Sequence, residues 1–282
     1  MSEDIIVQKK KPWIKRRGSM KIIIGAFLAL LVLIPTFVSL FYTPYNPNAT
    51  SLAERLVAPN AKHWFGTDQL GRDVFSRVMA GGQVSLSIGM MALVGTTFLG
   101  VVTGLLSGYF EGPLDAVFNM IAEIRQSMPM MLIIIVFLAI MGSSIFTMGL
   151  ILAIAEWVTI FRTVRARTMM EKKQDYVTAA ITNGAGDLRI IFRYILPNVL
   201  PSVIVLSTLM ISSVILQESS LSYLGIGVTR PYPSWGRMIS DNQSYFINGS
   251  WWAAAFPALT IATFVIGINI MADGMREKTK MD

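Results

Sequence analysis

Five long stretches of the chain contain no Asp, Glu, Lys, Arg or His. They cover residues 22–53, 78–110, 126–155, 194–217 and 242–272. Each exceeds the roughly 20 residues that a helix needs to cross about 30 Å of hydrocarbon. Because lipid offers the backbone no hydrogen-bond partners, such stretches are expected to form helices. The pattern therefore predicts an all-α protein that crosses a membrane several times.

Turn and helix-stop signals divide these stretches into six predicted transmembrane helices. Pro129 is expected to kink the third helix, and Pro197 to end a polar helix that precedes the fifth. The six spans are predicted at residues 22–42, 84–107, 116–141, 145 to about 165, 198–221 and 251–271. Shorter helices are predicted outside the membrane at residues 51–56, 72–79, 171–183 and 187–196.

The basic residues are concentrated in three segments. Seven Lys and Arg precede the first span, seven lie between Arg162 and Arg193, and three follow Asp273. By the positive-inside rule these segments, and with them both termini, are expected in the cytoplasm. The predicted divisions are a basic cytoplasmic tail at 1–21, a first span at 22–43, an external segment at 44–83, a transmembrane core at 84–272 containing a cytoplasmic loop at 171–197, and a cytoplasmic tail at 273–282.

Composition excludes several classes of protein. With 53% hydrophobic and 15% charged residues, the chain has too little polar surface for a soluble globule of 282 residues. The net charge of +7 follows the expected topology, and no folded domain presents it to a nucleic acid. The chain contains no cysteine, which excludes disulfides and thiolate metal sites. The first apolar run is too long for a cleaved signal and is expected to remain as an anchor.

The polar loop at 171–197 carries the most informative pattern. Tyr176, Ala179, Ala180 and Asn183 follow helical spacing and are expected on one face, with Gly184 as the helix stop. A short helix with a smooth alanine face suits docking into a groove of another protein. An ordinary surface helix lying along the bilayer would have the same pattern, so both interpretations stay open at this point.

The loop resembles the EAA loop of the permeases of ABC importers. The family's pattern, E-A-A-x-x-x-G followed by a distal L-P, is matched by Ala179, Ala180, Gly184, Leu196 and Pro197. In that family the loop forms a coupling helix that sits in a cleft of the ATP-binding subunit. The resemblance thus implies that the coupling contact is made by Tyr176, Thr178, Ala179, Ala180, Asn183, Gly184, Leu196 and Pro197. Thr178 stands where the family usually has Glu, so the contact made by that Glu is in doubt here.

Longer motifs narrow the resemblance. Residues 63–77 resemble the H-x-L-G-T-D-x-x-G-R-D-x-x-S-R signature of the C-type permease subunits for dipeptides, oligopeptides and nickel. Trp157 with Arg162 and Arg165, and the stretches 218–227 and 231–236, look familial as well. The likeness runs from about residue 10 to 278, with Gln83 departing where a basic residue is common. It implies a type I (MetI-like) importer fold in a bacterial inner membrane.

The resemblance also implies partners and cargo. A second permease subunit forming a heterodimer, two ATP-binding subunits that hold ATP and Mg²⁺, and an extracytoplasmic substrate-binding protein are expected around this chain. Peptides are the expected cargo, with nickel or a metal–opine chelate as the alternative. The chain itself has no phosphate-binding G-x-x-x-x-G-K-S/T sequence and no nucleophile–base set, so no catalytic residue and no cofactor of its own are expected.

Two further groups of residues are candidates for function. Asp68, Arg72, Asp73 and Arg77 alternate in charge, and Asp73 is expected to pair with Arg77 in a salt-bridged lid or at an external gate. This external motif consists of Gly66, Thr67, Asp68, Gly71, Arg72, Asp73 and Arg77. Glu156 and Glu218 lie within predicted spans, where carboxylates are costly and often functional. They are expected either to line the translocation path or to be protonated or paired with a partner helix.

Three rival interpretations remain open. An ion-driven secondary transporter would be expected to have broken helices, intramembrane charge pairs and inverted repeats. A membrane-embedded enzyme would need clustered catalytic side chains, and a metal site would need several ligands. His63, the single histidine, has no neighbouring ligand set in the sequence, so no metal is expected. A non-transporting assembly or sensor subunit is excluded by no sequence feature.

Overall fold

Helices account for the regular structure of the part of the chain described in this computed structural model, residues 12–228 and 231–279, and one isolated β-bridge joins Thr67 to Asp73. The helices are α1 Pro12–Val38, α2 Val74–Phe110, α3 Gly112–Ser127, α4 Met130–Met141, α5 Ile145–Glu171, α6 Asp175–Thr182, α7 Asp187–Ile190, α8 Leu196–Tyr223, α9 Trp235–Ile247 and α10 Trp252–Thr279. A 3₁₀ turn at Leu52–Glu54 and a π turn at Ile191–Ile195 complete the regular elements. The predicted all-α class is confirmed.

Contacts between the ends of the helices identify the two ends of the bundle. At one end, called the cap end, residues 39–73 pack together with residues 224–228 and 231–251, and the Trp252 indole donates to the Thr67 carbonyl at 3.0 Å. At the other end, called the basic end, Lys172 Nζ donates to the Tyr109 carbonyl at 2.7 Å. The first part of α1 and the last part of α10 also meet at the basic end, where Lys21 pairs with Glu277.

The number of crossings depends on α3 and α4. Five helices are long and apolar enough to span a membrane, and α3 with α4 forms a further pair that is bent by 92°. The pair begins beside α2 at the basic end. It finishes at the cap end, where Ser143 Oγ donates to the Gly227 carbonyl at 2.7 Å. The bent pair therefore makes the sixth crossing. The bend lies at Pro129 as predicted, but it divides the helix expected at 116–141 into two helices.

A row of glycines brings α2 and α5 into close contact. Gly100, Gly104 and Gly108 are spaced four residues apart along α2 and face α5. A Cβ atom at Gly104 would lie 2.7 Å from Val164 Cβ and 2.9 Å from the Phe161 carbonyl oxygen. Small residues at this spacing let two membrane helices approach until their backbones touch. These two helices form the centre of the bundle.

Several helix ends differ from the prediction. α1 begins at Pro12 and ends at Val38, rather than spanning 22–43. α2 begins at Val74, so the helix predicted at 72–79 and residues up to 83 belong to this span. α5 continues to Glu171 and α10 to Thr279. Polar residues do not end a helix when they lie outside the hydrocarbon, because the backbone hydrogen bonds simply continue.

The segment around Pro197 also differs. The helix that starts at Asp187 passes through the π turn at Ile191–Ile195 and continues into α8, so Pro197 does not break it. The Leu196 N–H donates to the Ile191 carbonyl, one residue further back than in an α-helix. Such a wide turn accommodates a residue that has no N–H and whose ring displaces the carbonyl one turn earlier.

The helix α9 was not predicted. It lies at the cap end between α8 and α10, and Ser234 caps its N-terminus by accepting from the Arg237 N–H at 3.3 Å. Trp235 is fully buried and donates its indole N–H to the Val78 carbonyl at 2.9 Å. The bond from Trp235 holds the start of α9 against the second turn of α2.

Candidate functional site

The helix α6 projects from the basic end. Its two alanines, which the sequence placed on one face, lie on different sides of the helix. Val177 and Ala180 are buried against the apolar cluster formed by α2, α5 and α8, and Ala180 is only 6% exposed. Tyr176, Thr178 and Ala179 are exposed on the other side. The expectation that Ala179 and Ala180 share one outward face is wrong, because the inner position of a short helix must be filled by a side chain that packs. Only Ala179 remains available to a partner.

Gly184 ends α6 as predicted. It has a φ of +78°, and the Gly184 N–H donates to the Ile181 carbonyl at 2.9 Å. The Ala185 N–H donates to the Ala180 carbonyl at 3.1 Å. Together these bonds form a Schellman motif, which favours glycine at this position. Asn183 is the C-terminal cap residue and is exposed.

Tyr176 connects α6 to the ends of α5 and α8. Its hydroxyl donates to the Glu171 carboxylate at 2.5 Å and accepts from Asn198 Nδ2 at 3.1 Å. Partial burial, followed by the bond to Glu171, raises the pKa of Tyr176 to about 12. The phenol is therefore neutral at physiological pH. Of the remaining predicted coupling residues, Leu196 is half-buried and Pro197 exposed.

The external motif forms the base of the cap and is buried. Asp68 accepts from the Leu70 and Arg72 backbone N–H groups at 2.8 and 3.0 Å, and its second oxygen pairs with Arg72 Nε at 2.7 Å. Arg77 Nε lies 3.5 Å from the same oxygen. A carboxylate that has two amide donors and two guanidinium neighbours stabilises a turn rather than offering a free charge.

Asp73 caps the long helix α2. Its carboxylate accepts from the Ser76 N–H at 2.8 Å and lies 2.8 Å from His63 Nδ1. The Ser76 N–H and the His63 imidazole thus occupy the two carboxylate oxygens of Asp73. The sequence had predicted that this carboxylate would pair with the Arg77 side chain. Beside this cluster, the hydrogen bond from Lys62 lowers the pKa of the Glu54 carboxyl.

The glycines and the threonine of the motif have packing roles. Gly66 and Gly71 both have a φ of +71°. The Thr67 hydroxyl accepts from the Val57 N–H at 2.8 Å. All seven predicted external residues therefore lie together, in a wedge that joins α2, the segment 44–73 and α10.

Glu218 is fully enclosed and does not line a path. Its carboxylate accepts from the Ser222 hydroxyl at 2.7 Å and makes further hydrogen bonds with Ser85, Ser219 and Ser234. Its exposed fraction is 0%. The expectation that Glu218 lines the translocation path is therefore wrong for this structure, because hydroxyl groups from three helices surround it.

Glu156 differs from Glu218 in being partly exposed. Gln217 Nε2, on α8, donates to Glu156 Oε1. Gln217 Oε1 is buried and has no hydrogen-bond partner among the residues described. Of the two predicted path residues, only Glu156 lies where it can meet a transported molecule.

Comparison with known proteins identifies the family of this chain. Residues 100–279 match the family described as binding-protein-dependent transport system inner membrane component. The chain belongs to this family. As a member, it is a transporter subunit that passes several times through the inner membrane, and the family's description places a binding protein in the same transport system.

Relatives of this family member cover nearly its whole length. It is 35% identical to the dipeptide transport system permease protein DppC of Bacillus subtilis, over 94% of this chain and 83% of that protein. It is 33% identical to the oligopeptide transport system permease protein OppC of the same organism, over 95% and 88%. It is 35% identical to the probable D,D-dipeptide transport system permease protein DdpC of Escherichia coli, over 93% and 87%.

Sequence reasoning missed two polar groups of this site. Neither the serine shell of Glu218 nor the Gln217–Glu156 pair was predicted. Two of the shell serines, Ser85 and Ser234, would be hard to find because they are distant from Glu218 in the chain, whereas Ser222 follows it by four residues on the same helix. The glycine spacing of Gly100, Gly104 and Gly108 was visible in the sequence and would have predicted the α2–α5 contact.

Proposed function

We propose that this chain forms one half of the transmembrane path of an ATP-driven importer of di- and oligopeptides. The observation that carries the proposal is the likeness, over more than nine-tenths of the chain, to permeases named for dipeptide and oligopeptide transport. The partly exposed carboxylate of Glu156 within a span is compatible with a polar cargo.

The proposed power source is a pair of ATP-binding subunits that hold ATP and Mg²⁺. The helix α6 is the proposed contact, since it is short, projects from the basic end and exposes Tyr176, Thr178 and Ala179. In this proposal the basic end and both termini lie in the cytoplasm, in agreement with the positive-inside rule. Nucleotide binding in the partner subunits would displace α6 and shift the helices between two states.

The proposed assembly contains a second, different permease subunit and a substrate-binding protein that docks at the cap end. Six crossings alone enclose little space. The side of α5 that carries the partly exposed Glu156 also needs a partner to cover it. The buried wedge of the external motif supports a stable docking platform on that side. Thr178 replaces the family's usual Glu, so the proposed contact does not depend on a carboxylate at that position.

The test is ATP-dependent uptake of a labelled dipeptide by the whole complex reconstituted in liposomes. Wild type is expected to accumulate the peptide only with ATP and binding protein. Ala179→Arg is expected to abolish uptake and co-purification of the ATP-binding subunits, because a long charged side chain would fill the contact. Ala179→Ser, which keeps the small size, is the matched control and is expected to retain both.

Two results would contradict the proposal. Uptake that persists without ATP would favour an ion-driven transporter. Uptake of nickel or a metal chelate, with no uptake of peptides, would assign a different cargo.

A further inference from the structure

One side of α5, from the middle of the helix towards its basic end, presents polar groups that the described part of the chain leaves exposed or only partly covered. Thr159 and Arg162 are exposed, and Glu156 and Thr163 are half-buried. Glu156 lies near the middle of α5, and Arg162 lies about 9 Å closer to the basic end at 1.5 Å per residue. Charged side chains at this depth are expected to border water or protein and not lipid. This side of α5 therefore faces an aqueous path or a partner subunit.

The carboxylate of Glu156 has one described side-chain partner, the amide of Gln217. Its hydrogen bond comes from the neutral amide of Gln217, and no ion pair joins it to a Lys or Arg of the described residues. The Gln217 Oε1 atom is buried without a donor in that same part of the chain. The Glu156 carboxylate and the Gln217 Oε1 atom can thus both accept a hydrogen bond from a donor that has several N–H groups. A terminal ammonium is such a donor.

Arg162 is the positively charged counterpart of Glu156 on α5. Its guanidinium makes no ion pair or hydrogen bond with the residues that the structure describes. Arg165, one turn further, is held by Asp115 through bonds of 2.5 and 2.6 Å. A free guanidinium binds a carboxylate through two parallel hydrogen bonds. The difference between the two arginines marks Arg162 as the one available to a ligand.

We infer that Glu156 and Arg162 form two charge subsites for a zwitterionic peptide. Glu156, with Gln217, binds the terminal ammonium, and Arg162 binds the terminal carboxylate. The inference rests on the proposed function. The rise of about 9 Å between the two residues is close to the length of an extended chain of about three residues. Glu218 takes no part, because its serine shell encloses it completely.

The test measures equilibrium binding of tritiated trialanine, which keeps both charged termini, to the purified complex without its binding protein, both nucleotide-free and nucleotide-bound. Competition with unlabelled trialanine, N-acetyl-trialanine and trialanine amide then reports each terminus separately. The variants are Glu156→Gln and Arg162→Gln. Arg167→Gln is the matched control, because Arg167 is an exposed arginine near the end of the same helix.

Each variant is expected to affect one terminus. Glu156→Gln weakens binding of trialanine and of its amide about threefold to fivefold, the scale of a hydrated ion pair, and leaves the N-acetyl peptide unchanged. Arg162→Gln weakens trialanine and the N-acetyl peptide and leaves the amide unchanged. Because Arg162 has no partner in the described chain, this variant tests the inference even if Glu156→Gln disturbs folding.

Other outcomes overturn the inference. These are no binding of trialanine by wild type, equal losses for all three peptides, or losses equal to those of Arg167→Gln. Each of them is compatible with ATP-dependent peptide uptake by the whole complex, so the proposed function is judged separately. Absence of that uptake would count against the function itself.

Discussion

Two glycines with nearly the same backbone conformation have very different surroundings. Gly71 has a φ of +71° and Gly112 a φ of +60°. A Cβ atom at Gly71 would lie 1.8 Å from the Ser51 carbonyl oxygen, whereas a Cβ atom at Gly112 would meet no atom within 4 Å. The first glycine is needed for conformation and for space, and the second for conformation alone. Comparing the two glycines therefore separates the effect of backbone conformation from the effect of steric overlap.

Gly71→Ala is therefore expected to destabilise the protein more than Gly112→Ala. The left-handed conformation costs an alanine about 1–2 kcal/mol in each case. Only Gly71→Ala adds a backbone overlap that forces Ser51 to move. Thermal unfolding of both variants in detergent measures the difference. Equal losses of stability would show that the segment 44–73 adapts and that its wedge is loosely packed.

At the scale of elements, the contact between α2 and α5 has a simple basis. Gly100, Gly104 and Gly108 present no side chain to α5, and Ile160, Val164 and Thr168 fill the space opposite them. In lipid there is little hydrophobic driving force between helices, so close packing decides their association. The glycine row is thus a strong determinant of how the bundle is assembled.

Gly104→Ala is expected to lower the unfolding temperature, because its Cβ would lie 2.7 Å from Val164 Cβ. Gly81→Ala, in the same helix, is the control. Its Cβ would lie 3.4 Å from the nearest atom, an ordinary contact, and alanine is favoured over glycine in a helix by about 1 kcal/mol. Thermal unfolding followed by tryptophan fluorescence distinguishes the two. A stable Gly104→Ala variant would show that α5 can shift away.

The elements that sequence predicts best are those defined by lipid. Charge-free stretches locate each span because hydrocarbon excludes charge over a fixed thickness. The ends of spans are less predictable, since Asp73 caps α2 well inside the segment expected to be external. Ala180 shows the same limit within a site, because helical spacing cannot tell which residue of an alanine pair will face the core.

At the scale of the whole molecule, Glu218 joins parts of the chain that are far apart. Its hydrogen bonds reach Ser85 of α2, Ser222 of its own helix α8 and Ser234 at the start of α9. Ser234 also caps α9, and Trp235 next to it donates to α2. The cluster therefore locks the cap end of three helices together.

Glu218→Leu is expected to destabilise the protein strongly, because each hydroxyl left without an acceptor in a buried site costs about 1–3 kcal/mol. Ser220→Ala, an exposed position on the same helix, is the control and is expected to behave as wild type. The measurements are thermal unfolding and the peptide-binding competition described above. A stable Glu218→Leu variant with altered peptide preference would return this residue to the path.

The run of helix from Asp187 to Tyr223 contains 37 residues and is therefore about 55 Å long. One end of this run lies beside α6 and the other at the serine cluster around Glu218, so in the proposed coupling it would carry the displacement of α6 across the membrane. A helix hardly shortens when it is pushed along its axis. A displacement of a few ångströms at the end beside α6 would therefore reach the end at the serine cluster almost undiminished. The π turn at Ile191–Ile195, together with Pro197 and Pro201, interrupts the α-helical hydrogen bonds of this run. All three lie near the end beside α6 and leave the remainder regular, so in the proposed coupling the opening on one side of the membrane and the closing on the other can be a single event.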